Sequence, residues 1–107
     1  MTPDQFRRLA LQLPEVCECE HMRHPDFRVG GKIFATLSYP SDEWGMVKLT
    51  PEQQTSFVEE APNTFRPCKG VWGERGATNV RLGVAKVTVV RKALKAAYQN
   101  NLARKLR

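Results

Sequence analysis

Phe6, Leu9, Ala10 and Leu13 recur at helical spacing and form one apolar stripe. Thr2 before them supplies a cap, Pro3 suits the first turn, and Gln5 completes a capping box. The pattern predicts a helix over 3–13, ended by Pro14. The period then changes. Cys17, Cys19 and His21 alternate with Glu18, Glu20 and Met22, which predicts a half-buried strand broken at Pro25. Phe27 and Val29 continue the alternation to Gly30-Gly31, a hairpin turn. Ile33, Ala35, Leu37 and Tyr39 then alternate with Lys32, Phe34, Thr36 and Ser38, predicting a central strand with four inward positions. A further strand is expected over 44–49, with Val47 and Leu49 opposite Met46 and Lys48.

Thr50-Pro51-Glu52-Gln53 repeats the grammar of Thr2-Pro3-Asp4-Gln5 and opens a second helix, to about Ala61, with Phe57 and Val58 on its apolar face. Residues 65–72 read as partly extended, interrupted by Pro67 and Gly70. Gly73 and Gly76 bracket a tight turn, and 78–82 read as a last strand. Val87, Val90, Leu94, Ala97, Tyr98 and Leu102 stripe a final helix over 86–103. Fraying is expected over 104–107. Short connections favour an antiparallel sheet, and amphipathic helices favour packing on one face, so the expected class is α+β. The 107 residues fit a single domain, 1–107, and a hydrophobic share of 41% excludes general disorder.

Charge is divided unevenly. Up to Pro62 there are six basic and ten acidic residues; from Asn63 on there are eleven basic residues and one acid, Glu74. Such a block either attracts phosphates or simply maintains solubility. No apolar run approaches a membrane span, and the N-terminus lacks a signal-peptide layout, so a cytoplasmic protein without membrane contact is expected. Three sparse cysteines, Cys17, Cys19 and Cys68, argue against a disulfide framework. Cys17 and Cys19 read as small core residues on one strand face. His21, His24 and Asp26 lack a fourth ligand, so no metal and no cofactor is expected. No acid/base pair or nucleophile elbow is visible, so the expectation is binding, not catalysis. The glycine-rich stretch from Gly70 to Gly76 is not a phosphate loop, because it lacks the G-K-[ST] ending. It reads as a wing carrying Trp72 and Arg75 beside Lys69. Trp72 then either stacks on a base or folds back as a lid on the sheet.

The runs HPDFRVGGKIFATL from His24, WGMVKLTPEQQ from Trp44 and KGVWGERGATNVRL from Lys69 together resemble the MmcQ/YjbR family over nearly the whole chain. The resemblance implies a frataxin-like antiparallel sheet covered by helices. It also implies a DNA-binding protein with a double-wing motif. Many members carry a His-Trp pair where this chain has Gly76-Ala77, so no role of that pair carries over. The resulting expectation is a nucleic-acid partner, bound with low sequence specificity through phosphate contacts. The candidate residues are Lys69, Trp72, Arg75, Arg81, Lys48 and Lys32, with the basic C-terminal segment. The alternative is a protein- or small-molecule-binding domain that gathers Lys32, Thr36, Lys48 and Arg81 on an open sheet face.

Overall fold

The computed structural model describes residues 1–105, with side chains for 1–102. In chain order the elements are α1 (Pro3–Leu11), β1 (Cys17–His21), β2 (His24–Val29), β3 (Lys32–Leu37) and β4 (Trp44–Lys48). They continue with α2 (Pro51–Glu60), β5 (Phe65–Pro67), α3 (Gly70–Glu74), β6 (Ala77–Arg81), a 3-10 turn over Leu82–Val84, and α4 (Val87–Lys105). The class is α+β. The six strands form one open antiparallel sheet in the order β1-β2-β3-β4-β6-β5, so β3 is central.

Local signals set most of these boundaries. Both capping boxes form: the Thr2 and Thr50 hydroxyls accept from the Gln5 and Gln53 amides at 3.1 Å each, and the two glutamine side chains return to the threonine amides. Gly30 and Gly31 take positive φ (59° and 78°) and close the β2–β3 hairpin as expected. The α4 helix runs through Lys105, past the start of the expected fraying; residues 106 and 107 lie outside the described residues.

Four expectations are corrected. First, the β1–β2 turn is Met22-Arg23, at φ 51° and 69°, and Pro25 lies inside β2 opposite Glu20. Proline is tolerated there because β3 pairs β2 only from Asp26 onward. Second, β3 carries a bulge. Phe27 faces Ala35 while Arg28 faces Ile33, leaving Phe34 as the extra residue. The bulge sends Phe34 into the core beside Ala35 and Leu37, leaves Ile33 half-buried, and Tyr39 beyond the strand end is 62% exposed. Third, Cys17 is exposed and Cys19 half-buried, because β1 is an edge strand of the sheet. Fourth, the glycine-rich stretch is a short helix, α3, and not a wing.

The core lies between one sheet face and the helices. Phe27, Ala35, Leu37, Val47 and Val80 are fully buried there with Phe6 of α1 and Val90, Ala93, Leu94 and Ala97 of α4. The Phe6 ring lies 6.2 Å from Phe27, and Phe34 meets Tyr98 edge-on at 5.8 Å. The Tyr98 hydroxyl donates to the Pro14 carbonyl at 2.9 Å, tying α4 to the end of the first helical segment. Helix α2 joins through Phe57 on Phe65, whose cross-strand partner is Val80. The opposite sheet face stays comparatively open. Thr36, Met46 and Asn79 are half-buried on it, and Arg66 and Arg81 are exposed.

Candidate nucleic-acid interface

One end of the β4–β6 ladder holds an aromatic ring against cations. Lys48 ends β4, and its Nζ sits 5.5 Å from the centroid of the Trp72 ring on α3. Trp72 is 64% exposed, so it is no lid on the sheet. A cation over an indole face is attracted by the ring quadrupole. With Arg75, Thr50, Gln99 and Asn100 these residues line a cleft of about 580 Å³. That is within the range of small-ligand sites.

The scaffold beneath Trp72 is built by tertiary contacts. Gly73 has no Cβ because one would lie 1.7 Å from the Cys68 carbonyl oxygen. Gly76, at φ 111°, lets the chain pass the Leu49 carbonyl, which an added Cβ would approach to 2.0 Å. From α2, the Gln54 side-chain amide donates to the carbonyls of Gly73 and Ala77, both at 3.0 Å. Behind Lys48, the Asn100 amide donates to the Lys48 carbonyl at 3.3 Å and to Gln53 Oε1 at 2.8 Å. The start of α2, the last turns of α4 and helix α3 are thereby joined around one cleft.

The six candidate residues divide among three places. Lys48, Trp72 and Arg75 share the cleft, and Lys69 is exposed at the cap of α3 beside it. Arg81 sits at the opposite end of the ladder, paired across strands with Trp44. Lys32 is exposed at the start of β3, next to the Gly30-Gly31 turn and outside both clefts. The gathering of Lys32, Thr36, Lys48 and Arg81 on one spot of the open face therefore does not occur. Around Arg81 lies a second hollow of about 690 Å³, with Arg66, Lys86 and Trp44. The Arg66 guanidinium stacks 4.6 Å from the Trp44 centroid. Sequence reasoning missed this unit because β5 enters the sheet beyond β6, an order no local pattern reveals. On α4, Arg91, Lys92 and Lys95 are exposed, and Lys92 lies 3.8 Å from Glu60. The side chains of Arg104, Lys105 and Arg107 lie outside the described residues.

The remaining reactive groups are engaged in structure. Asp26 is 1% exposed and accepts two bonds from the Arg28 guanidinium, at 2.8 and 3.1 Å. This carboxylate raises the Arg28 pKa further above its ordinary value. His21 and His24 face each other across the β1–β2 hairpin, and His24 meets Tyr39 edge-on at 5.3 Å. Burial pushes the Cys68 thiol up to about 11, and its sulfur donates to Asn79 Oδ1 at 3.2 Å. A thiol held protonated in this way is a poor nucleophile. Burial, with the neighbouring Cys17, also raises Cys19. Among the described residues, no group of three His, Cys, Asp or Glu is placed to hold a metal, and no helix is long and apolar enough to cross a membrane.

The family model described as YjbR matches residues 11–100. Among solved structures, the chain is similar to a Deinococcus radiodurans protein, DR2400, described as a DUF419 domain. The likeness has a TM-score of 0.76 at 20% identity, covering 91% of this chain and 75% of that one. At that identity the likeness carries the fold. No curated protein matches the chain in sequence.

Proposed function

We propose that this chain, which belongs to the YjbR family, is a nucleic-acid-binding protein of low sequence specificity. The observation that carries the reading is the exposed Trp72 ring backed by Lys48 in a cleft that Arg75 also lines. Within the basic segment from Asn63 onward, Arg75 lines that cleft and Lys69 stands at the start of α3, and these cations support the reading. Lysine and arginine supply affinity by releasing counterions from phosphates, a term that is blind to sequence. In this reading Lys48 and Arg75 meet phosphates, which carry no sequence information, so discrimination between sequences is small. Catalysis has no part in this reading.

The experiment is a competition between unrelated oligonucleotides of equal length at fixed salt. Affinities that agree within about threefold, and that fall together as salt rises, support it. No affinity for any of them at low salt contradicts it.

A second reading draws on the Arg66–Trp44 stack. The hollow it shares with Arg81 and Lys86 sets three cations against one carboxylate, Glu60, a net positive lining that suits a small anionic ligand. Double substitution of Arg66 and Arg81 by alanine separates the two readings. It leaves nucleic-acid binding at the other cleft intact and abolishes binding of a small anion such as inorganic phosphate.

A further inference from the structure

We infer that the strand bound at the Trp72 cleft is single-stranded, with an unpaired base stacked on the indole ring; this rests on the nucleic-acid reading above. A duplex keeps its bases stacked inside and shows phosphates outside, so an aromatic ring adds little to binding it. An unpaired strand offers a π-face at every base.

The ring is built as a platform. It stands 64% exposed on a five-residue helix. That helix is fixed from below by the close approach of Gly73 to Cys68 and by the Gln54 amide. Lys48 Nζ lies 5.5 Å from the indole centroid, and much of the ring still meets solvent, where a base can stack. Arg75, three residues on from Trp72, lines the same cleft, and Lys69 caps the start of the helix, so cations stand on both sides of Trp72 along the chain. Gln99 is exposed on the far wall of the cleft and offers both a donor and an acceptor to a base edge. Trp44 is the contrasting case: it is half-buried with Arg66 against its face, so it lacks an equivalent open plane.

The test compares a short oligothymidylate, an abasic phosphodiester of the same length, and a duplex of the same length, all at one salt concentration. The oligothymidylate is expected to bind about 5- to 140-fold tighter than the abasic strand for each stacked base. Trp72→Ala brings the two single strands to equal affinity, and Trp72→Phe retains most of the preference. In a Trp44→Phe background, where Trp72 is the remaining indole, the oligothymidylate quenches emission and the abasic strand does not. Equal affinity of the unaltered protein for both single strands, or tighter binding of the duplex, overturns the inference while the charge-driven reading stands. No binding of any of the three at low salt overturns both.

Discussion

Replacing Gly73 by alanine sets two effects against each other, and their sizes decide the sign. In a helix interior alanine is favoured over glycine by about 0.8–1.0 kcal/mol, so propensity alone predicts a more stable protein. The structure predicts the reverse. The added Cβ would stand 1.7 Å from the Cys68 carbonyl oxygen and 2.7 Å from its carbon, whereas ordinary contact begins near 3.4 Å. The obstacle is backbone, with no flexible side-chain end to swing aside, so α3 or the preceding chain must move by about 1.5 Å. Overpacking of this kind costs roughly 1–3 kcal/mol, and a backbone obstacle puts it at the upper end. Net of propensity, Gly73→Ala is expected to lose about 2 kcal/mol. With a urea slope on the order of 1–2 kcal/mol/M, the midpoint falls by about 1–2 M. Gly83 is the control: an added Cβ there meets nothing within 4 Å, so Gly83→Ala stays within about 0.5 kcal/mol of the parent or gains slightly. Urea denaturation followed by far-UV circular dichroism reads both variants. A midpoint for Gly73→Ala equal to or above the parent's refutes the packing that holds Trp72 in place.

Further outcomes follow from other parts of the fold. Thiol labelling near pH 8 should modify exposed Cys17 first and Cys68 slowest, with three thiols reacting once the chain is unfolded. Because the folded pKa of Cys68 lies above its unfolded value of 9.0, its contribution is present below pH 9 and lost as pH rises from 9 to about 11. Comparison of stability–pH profiles with Cys68→Ser should show that component missing. Thr50→Ala removes the cap of α2 and should cost about 1 kcal/mol in urea denaturation. Arg28→Met alone should lower the midpoint more than the double variant Arg28→Met/Asp26→Asn, since it leaves the Asp26 carboxylate buried without its partner. A double variant weaker than the single one contradicts that view of the pair.

What was legible in the sequence was what local chemistry decides. Thr-Pro-acid-Gln appears twice and caps two helices, and Gly30-Gly31 marks a hairpin, because caps and positive-φ turns are satisfied within a few residues. Features made by distant contacts were not legible. The β1–β2 turn uses Met22 and Arg23 in a conformation where glycine or asparagine is usual, so its composition gave no turn signal. The Phe34 bulge breaks an alternation that looked unbroken, and only pairing with β2 reveals it. Helix α3 has three glycines within or next to it and low intrinsic propensity; Gln54 and the Cys68 carbonyl hold it from outside. The candidate site was legible as a set of residue types and not as a place. Trp72, Arg75 and Lys69 come from one stretch, but Lys48 joins them only because β4 pairs with β6. The same pairing removes Arg81 to the opposite end.

The central claim is that the Trp72 cleft, and not diffuse positive charge, binds nucleic acid. Its most direct test is the dependence of binding on salt in two charge-matched triple variants. One replaces Lys48, Lys69 and Arg75 by alanine, and the other replaces Arg91, Lys92 and Lys95 on the exposed side of α4. Each phosphate contact adds about 0.7–0.9 to the slope of log K against log salt. The cleft variant is therefore expected to flatten that slope by about two to three and to weaken all sequences alike, while the α4 variant leaves it within about one of the parent. Equal flattening by both variants contradicts the claim and leaves an attraction that belongs to the net charge alone.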